Sequence, residues 1–557
     1  MIKTRVIHEI QLKRPLRIAF LIAASVASLS VLPSAACTNI LVGRDATEDG
    51  CTYVAYSCDE CEFAAVRIEP AARHQTGTDI QLWEEADWGS AALCNPGVLG
   101  SMPQVRYTYR YIDILSGPMF AHIGGMNEHG VSIAETTIYG VRPQLANQKG
   151  WLSPFSTQAS RGLMSLGLQR AKTAREAICI IGDLATEYGY NSIFPQQDGE
   201  QLAISDGVEV WSMEIFGPGP KWTPGSSKLG AVWCAQRIPD GHISVSANRS
   251  RIGEIDPSNP DYFLASSNVY TLAEDMNWWS ATSGNPFVWY EVYAPQTSES
   301  SRYREWRVLD RAASSLKLTP SAMRFPFSVK PDSWLLMSEV SAIQRDMLEG
   351  TPYDPVADPG FLVNGKPSSL ACPIYWPELY SLLSIKYHRT VNRTASHTCI
   401  FQANAAWPTQ IRGCTWFGFG QAATSCHVPI YSTVTQLPDD WGETSLTAFD
   451  DSLPFWSMQL PGHLAVVEWQ NAYANIKTVR DQAEAVFLTE QAHILTAMAG
   501  LSSALDPAAL LNEYTLERLN AAQKAFEELA DYLLLAYYYD VNPALLPALP
   551  VVKFVGL

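Results

Sequence analysis

The amino-acid sequence predicts an α+β fold, because segments with strand periodicity and segments with helix periodicity alternate along its 557 residues. Early segments alternate apolar with polar residues, as half-buried strands do. The last segment repeats apolar residues every three or four positions, as amphipathic helices do. Hydrophobic residues make up 47% of the chain, which is enough for a sizeable core and argues against disorder over most of its length.

Strands are predicted near the start of the chain and again before its middle. Residues 38–42 are apolar and β-branched, and residues 105–115 alternate aromatic or aliphatic side chains with polar ones. Strand patterns return over residues 201–216. Within this segment Asp206-Gly207 predicts a hairpin turn.

Helices are predicted over residues 151–187, 303–316, 333–347 and 464–539. The last of these is the longest. Its second half places a row of apolar residues on one face, and these are Leu516, Leu519, Ala522, Phe526, Leu529 and Leu533. We expect this face to pack against the rest of the protein.

The chain is longer than one small core requires, so we expect a large domain with an appendage. The predicted organisation is a signal peptide over residues 1–36, a main domain over 37–460, and a mostly helical region over 461–557 that packs on it. We find no internal repeat and no low-complexity tract.

The first 36 residues have the three parts of a secretory signal peptide. Basic residues come first, and these are Lys3, Arg5, Lys13, Arg14 and Arg17. An apolar run over residues 18–32 follows, and Ser34-Ala35-Ala36 supplies small residues before Cys37. The apolar run is shorter than the roughly 20 residues that span a bilayer, which disfavours a transmembrane anchor. We therefore expect export to the periplasm or the extracellular space, with no stable membrane insertion after processing.

The charge of the mature chain excludes some classes of partner. The whole chain has 39 basic and 56 acidic residues, and residues 1–36 contain five basic residues and Glu9. Removing them leaves 34 basic and 55 acidic side chains, a net charge of −21. Such a surface repels phosphate backbones and anionic lipids, so we expect neither nucleic-acid nor membrane-surface partners.

Eleven cysteines are many for a cytosolic protein, and export makes disulfides plausible. Cys58-x-x-Cys61 could suggest zinc or redox chemistry. No second Cys-x-x-Cys and no His pair follows at ligand spacing, so we expect no metal and no cofactor.

Cys37 is the most informative position, because processing makes it the first residue of the mature chain. Its thiol then lies beside its own α-amine, whose ordinary pKa of about 7.7–8.0 lets a fraction accept the thiol proton at neutral pH. Two other roles remain open for Cys37. It could carry a lipid, although Ser34 replaces the aliphatic residue usual for lipoproteins, or it could be half of a disulfide.

The residues after Cys37 favour the nucleophile. Two strands joined by a turn at Asp49-Gly50 would bring Asp59 back beside Cys37. A carboxylate there could hydrogen-bond the α-amine and tune its basicity. The alternative is an acidic turn exposed to solvent.

The opening Cys-Thr-Asn-Ile-Leu-Val-Gly resembles the start of the cysteine dipeptidase family of dipeptidase A and the secernins. These are N-terminal-nucleophile (Ntn) hydrolases, related to penicillin V acylases and bile-salt hydrolases. Further similar segments follow in the same order, and these are 124–131 with Glu135-Thr136-Thr137, 210–217, Trp233 with 236–241, 246–252, 301–308, 349–354 and 427–431. The resemblance covers residues 37 to about 438.

The resemblance implies a four-layer αββα sandwich and a catalytic role for four residues. Cys37 would attack the scissile carbonyl, and Asp59 would hydrogen-bond the α-amine. Asn248 would stabilise the oxyanion, and Arg302 would polarise the nucleophile or hold a carboxylate. Asn127 with Glu128 would build a supporting turn.

Two positions depart from the acylase relatives. Tyr56 stands where they have an arginine, and Thr137 aligns with their second oxyanion asparagine. We expect both residues to contact the substrate. Acylase specificity is therefore not expected to transfer. A peptide bound through its charged termini fits better, with Arg302 or Arg251 meeting the substrate carboxylate in a bidentate pair.

We therefore expect an exported cysteine dipeptidase that acts on dipeptides or short peptides. One alternative is an amidase or acylase that acts on a non-peptide amide. The other is a lipid-anchored binding protein without catalysis. The sequence leaves open whether copies of the chain associate as a homo-oligomer.

Overall fold

The computed structural model describes residues 37–552 apart from short internal segments, and these are 60–62, 85–95, 118–119, 148, 157–160, 193–198, 297, 375–376, 384, 386–394, 446–447, 501–505 and 540. The predicted signal peptide over residues 1–36 therefore lies outside the described residues. So does Cys61 of the Cys-x-x-Cys motif.

The described strands, in chain order, are β1 (Thr38–Val42), β2 (Thr52–Cys58), β3 (Ala64–Glu69), β4 (Ala72–Arg73), β5 (Asp79–Trp83), β6 (Val98–Pro103), β7 (Tyr107–Thr108), β8 (Tyr111–Ser116), β9 (Ala121–Asn127), β10 (Ser132–Ile138), β11 (Gly199–Ser205), β12 (Val210–Phe216), β13 (Val232–Ile238), β14 (Ile243–Ser246), β15 (Phe263–Ala265), β16 (Ser328–Val329), β17 (Leu362–Val363), β18 (Lys366–Pro367), β19 (His397–Ala403), β20 (Gly413–Phe419) and β21 (Val428–Tyr431).

The described α-helices, in chain order, are α1 (Pro143–Ala146), α2 (Leu163–Arg170), α3 (Ala174–Tyr188), α4 (Thr271–Asp275), α5 (Trp289–Tyr293), α6 (Glu299–Ala312), α7 (Met337–Gln344), α8 (Pro377–Leu383), α9 (Pro454–Ala465), α10 (Trp469–Ala499) and α11 (Pro507–Tyr537).

Two large antiparallel sheets contain most of the strands. The first has the order β16-β14-β1-β2-β19-β20-β21, and the second has the order β15-β13-β12-β11-β10-β9-β8-β3. The predicted turn at Asp206-Gly207 joins β11 to β12, where Ser205 pairs with Val210. Gly207 has φ of 81°, a conformation that glycine adopts without strain, so this hairpin prediction is confirmed.

The two sheets contact each other through buried side chains, several of them polar. Asn39 of β1 donates to the side-chain oxygen of Gln201 of β11 at 3.0 Å. The hydroxyls of Thr136 of β10 and Ser246 of β14 lie 2.8 Å apart. Every residue of β2 and β10 is buried, so both faces of these strands are covered. We name the contact between the two sheets the polar seam.

Helices contact both sheets. Helices α2 and α3 contact strands of the second sheet, and α6 and α7 contact β14 and β2 of the first. Helices α9, α10 and α11 contact β20 and β21. Within the described residues, no helix has both the length and the apolar composition needed to cross a bilayer.

The predicted α+β class is confirmed, with shifted boundaries. The helices expected over 303–316 and 333–347 are α6 and α7, and the segment 151–187 is helical only from Leu163 onward. Five of the six apolar residues predicted on one face of the last helix are buried, and Leu516 is half-buried. Helix α9 runs across the predicted boundary at 460/461, because its apolar residues join the same buried cluster as β20. The four-layer stacking stays a prediction.

Candidate active site

The hairpin of β1 and β2 positions the predicted nucleophile and the predicted aspartate. Thr38 pairs with Ser57, so the same register places Cys37 opposite Cys58, with Asp59 next in the chain. Cys37 is 3% exposed and Asp59 is 1% exposed. Two short apolar strands and the turn between them therefore bring both residues to one end of the first sheet.

The sulfur of Cys37 lies in the polar seam. Its thiol donates to Oε1 of Glu135 of β10 at 3.2 Å, and the hydroxyl of Tyr56 of β2 lies 3.7 Å from the sulfur. The same hydroxyl donates to Oε1 of Glu135. Burial and the neighbouring Cys37 raise the pKa of Tyr56 well above its ordinary value, so the phenol is a neutral donor. Tyr56, predicted to contact substrate, thus contacts the nucleophilic sulfur.

A second buried carboxyl, Glu200 of β11, lies beside Glu135. Thr137 pairs with Glu200 across β10 and β11, so Glu135 and Glu200 stand diagonally on one face. Burial raises the pKa of both carboxyls, and the charge of Glu135 raises that of Glu200 further. The charges of two adjacent buried carboxylates repel each other, which favours a state in which one of the two carboxyls is protonated.

The cation of the site is Arg304 of α6. Its Nη1 donates to the carbonyl oxygen of Cys37 at 2.7 Å and to the hydroxyl of Thr38 at 2.9 Å. Burial lowers the pKa of Arg304, and the charges of Asp59 and Cys37 act in the opposite direction. An arginine nevertheless keeps its proton at neutral pH. Arg304 therefore places a fixed positive charge beside the predicted nucleophile.

Asn248 lies at the other end of the Arg304 guanidinium. Nη2 of Arg304 donates to Oδ1 of Asn248 at 2.9 Å, and Nδ2 of Asn248 donates to the carbonyl oxygen of Thr137 at 2.9 Å. These two partners define which side-chain atom of Asn248 is oxygen and which is nitrogen. Asn248 also has φ of 62°, an unusual value outside glycine that is often found at functional sites.

Two buried carboxylates hold the loop that carries Asn248. Glu305 accepts from Nε of Arg249 at 2.6 Å and from Nη1 of Arg251 at 2.7 Å. Glu214 accepts from the backbone N–H groups of Arg251 and Ile252 at 2.6 and 3.1 Å. These bonds on the C-terminal side of Asn248 keep its backbone in the left-handed region.

The two arginines predicted to meet the substrate carboxylate, Arg251 and Arg302, bond to other groups of the protein. All three guanidinium nitrogens of Arg251 donate within the protein, to Glu305 and to the carbonyl oxygens of Val245 and Pro326 among others. The guanidinium of Arg251 is therefore bound to acceptors within the protein. Arg302 contacts Glu299 at 3.4 Å and the sulfur of Met323 at 3.8 Å.

Arg304, two positions after Arg302, is the arginine of this helix that contacts both Cys37 and Asn248. Residues two apart on an α-helix point about 200° apart, so the two side chains leave α6 in different directions. The apolar residues Val308 and Ala312 mark the buried face of this helix, and Arg304 precedes Val308 by four positions. Helical periodicity could therefore have identified Arg304.

Sequence reasoning also missed Glu135, Glu200 and Cys58. Glu135 belongs to the segment Glu135-Thr136-Thr137, but its sequence distance of 98 residues from Cys37 gave no sign of contact. Glu200 became visible only through the β10–β11 register. Cys58 directly precedes Asp59, so residue-by-residue pairing of the first two predicted strands could have placed it opposite Cys37.

Comparisons with known proteins agree on one family. Residues 36–482 match the family described as Peptidase family C69. A probable dipeptidase of Latilactobacillus sakei is 25% identical over 493 residues, covering 82% of this chain and 91% of the relative. Probable dipeptidase B of Streptococcus pyogenes serotype M1 is 22% identical over 505 residues, covering 89% and 91%. Probable dipeptidase A of the same organism is 23% identical over 446 residues, covering 77% and 81%.

Proposed function

Because the chain belongs to peptidase family C69 and is therefore a peptidase, we propose that it hydrolyses dipeptides or short peptides with Cys37 as nucleophile. The observation that carries this proposal is the position of the Cys37 sulfur. It lies between the Glu135 carboxyl and the Tyr56 hydroxyl, and the backbone carbonyl of Cys37 is held by Arg304. The names of the similar dipeptidases support the choice of substrate.

The proposed mechanism requires that Cys37 be the first residue of the mature enzyme. The family match begins at residue 36, one position before Cys37, which supports processing at this point. The α-amine of Cys37 then takes the thiol proton, and the thiolate attacks the peptide carbonyl carbon. The same amine passes the proton to the departing amine, which leaves a thioester. Water, deprotonated by the amine, hydrolyses the thioester to the acid and regenerates the thiol.

Asn248 is proposed to stabilise the tetrahedral oxyanion. Its Nδ2 carries two hydrogens, and the carbonyl of Thr137 accepts one of them. The other is available to the substrate oxygen. Removing one such donor from an oxyanion hole costs about 2.7–4 kcal/mol of transition-state stabilisation.

Arg304 and Asp59 are proposed to position the backbone carbonyl and the α-amine of Cys37. Arg304 holds the carbonyl of Cys37, and Asp59 would hydrogen-bond its α-amine after processing. The arginine role predicted for Arg302 passes to Arg304 in this proposal. Thr137 acts through its backbone carbonyl, which orients Asn248.

We also propose that the protein is exported and that its layers stack as an αββα sandwich. Export is supported by the basic, apolar and small-residue order of residues 1–36. The stacking is supported by the contacts between the two sheets and by the separate sets of helices that contact each sheet.

The test combines N-terminal sequencing with activity of the secreted protein. We expect a mature chain that starts at Cys37 and releases free amino acids from a panel of dipeptides. Cys37→Ser should be processed at the same bond and lose at least about 10³-fold in kcat, because a hydroxyl is a far weaker nucleophile than a thiolate. Cys179→Ser, at an exposed cysteine of α3, is the matched control and should retain activity.

The same panel separates the alternatives. Hydrolysis of acylated amines or penicillin V without dipeptide hydrolysis would establish an acylase instead. A diacylglyceryl adduct on Cys37, detected by intact-mass analysis, would convert its thiol to a thioether and refute the mechanism. Active protein that retains residues before Cys37 would refute it as well.

A further inference from the structure

We propose that Cys37, Cys58 and Glu135 form a binding site for Zn²⁺ and that zinc bound there inhibits the peptidase. Zinc in this site would take no part in catalysis, since the proposed reaction uses no metal. Its inhibitory effect rests on the proposed role of Cys37 as nucleophile. Its existence rests only on the positions of the three side chains.

The three ligands converge from two sheets. The register of β1 and β2 places Cys37 opposite Cys58, and opposite residues of neighbouring strands point to the same face. β10 of the second sheet supplies Glu135 from across the polar seam. One ligand atom of each residue lies within 4.8 Å of the other two, and all three residues are buried.

These distances suit a zinc ion. Zn–S bonds of about 2.3 Å and Zn–O bonds of about 2.0–2.2 Å in a tetrahedral site separate two sulfurs by about 3.8 Å and a sulfur from an oxygen by about 3.6 Å. The Cys37 sulfur and Oε1 of Glu135 are 3.2 Å apart, and the other separations are at most 4.8 Å. Side-chain movements of about 1 Å or less would close the site.

The chemistry of the ligand set favours zinc over the hard cations. Thiolates are preferred by Zn²⁺, whereas Ca²⁺ and Mg²⁺ require oxygen ligands. The hydroxyl of Tyr56, 3.7 Å from the Cys37 sulfur, or a water molecule could complete the tetrahedron. Cys58 donates weakly to the hydroxyl of Ser116 at 3.9 Å, a contact that a Zn–S bond would replace.

Charge balance supports the assignment as well. Two thiolates and the carboxylates of Glu135 and Asp59 carry four negative charges, and Zn²⁺, the Arg304 guanidinium and the protonated α-amine of mature Cys37 carry four positive charges. Arg304 already lies beside the site, because its Nη1 donates to the carbonyl oxygen of Cys37 at 2.7 Å. A neutral cluster is the arrangement that burial in a low-dielectric interior favours.

Zinc in this site would prevent catalysis directly. Its bond to the Cys37 sulfur occupies the electron pair that attacks the substrate carbonyl. Glu135 and Tyr56 would also be drawn toward the metal. The enzyme would therefore act only where free zinc is scarce or a chelator is present.

The test compares the mature wild type with Cys58→Ser and the control Cys179→Ser, with all cysteines kept reduced by a phosphine. Zn²⁺ is titrated into the dipeptidase assay, and each rate is divided by the zinc-free rate of the same variant. We expect one zinc ion per wild-type chain. The inhibition constant should rise at least tenfold in Cys58→Ser and should not change in Cys179→Ser.

Cobalt provides a readout that requires no substrate. Co²⁺ bound to thiolates absorbs in the near ultraviolet in proportion to the number of Co–S bonds. Wild type should show the intensity of two thiolates and Cys58→Ser the intensity of one. Equal spectra, or equal zinc inhibition, in these two proteins would overturn the site. A two-thiolate spectrum in a protein without dipeptidase activity would refute the proposed function but retain the metal site.

Discussion

Arg304 donates from Nη2 to the side-chain oxygen of Asn248 at 2.9 Å, while its Nη1 holds the carbonyl of Cys37. One buried cation therefore sets the position of the proposed oxyanion donor relative to the proposed nucleophile. Such positioning matters because misplacement by about 1 Å can cost about 10²-fold in rate.

Arg304→Lys should reduce kcat about 10²-fold, because an ammonium cannot bond Cys37 and Asn248 together in the fixed geometry of a guanidinium. Arg302→Lys is the matched control on the same helix and should change kcat less than about threefold. The measurement is steady-state hydrolysis of one dipeptide, with the melting temperature recorded for each variant. A greater loss in Arg302→Lys than in Arg304→Lys would show that the site arginine is misassigned.

Asn248→Gly should separate the loss of the side chain from backbone strain. Glycine adopts φ of 62° without strain, so this variant should lose only the stability that the side-chain hydrogen bonds to Arg304 and Thr137 supply. The oxyanion donor is lost, so kcat should fall about 10²–10³-fold. Asn248→Ala should lose similar activity and about 1 kcal/mol more stability than Asn248→Gly, because alanine is strained there. Wild-type kcat in Asn248→Gly would exclude an oxyanion role.

Stability should fall in mild acid partly because of His427. Burial, with a smaller contribution from Arg345, lowers the pKa of His427 to about 3. The unfolded chain binds this proton below pH about 6.5, whereas the folded protein binds it only near pH 3. The contribution of neutral His427 to the unfolding free energy is therefore fully present above pH 6.5 and is lost as the pH falls toward 3. At pH 5 the loss is about 2 kcal/mol.

Denaturant unfolding at pH 7 and pH 5 tests this prediction. His427→Gln should reduce the difference in unfolding free energy between the two pH values by about 2 kcal/mol. His493→Gln, at an exposed histidine of α10, is the control for the substitution itself. An unaltered difference in His427→Gln would mean that His427 is not buried in its neutral form.

Phe526→Ala should show that the C-terminal helices belong to the main core. Phe526 of α11 is fully buried in the cluster that also contains Val428 of β21. Its truncation should cost about 3–5 kcal/mol of unfolding free energy. Leu535→Ala, at a residue of the same helix that is 37% exposed, should cost less than about 1 kcal/mol. Similar small losses in both variants would indicate a separately folded appendage.

Part of the site could be predicted because it depends on neighbours in the chain. The pattern of apolar residues is sufficient to pair β1 with β2 through one turn. This pairing brings Cys37 and Asp59 to the same end of the first sheet. The buried apolar face of α11 follows from apolar residues that recur every three or four positions. The contact of Cys37 with Glu135 joins residues 98 positions apart, and no local pattern contains that information.

Local periodicity was thus sufficient to establish an α+β chain, its first hairpin and the apolar face of its last helix. Packing placed the Arg304 guanidinium on the carbonyl of Cys37, paired Arg251 with Glu305, and brought Glu135 and Cys58 close to the sulfur of Cys37. The physical reason is that strand and helix patterns arise from interactions between residues a few positions apart. The meeting of side chains across the polar seam depends instead on how two sheets and a helix pack together, and that is a property of the whole folded chain.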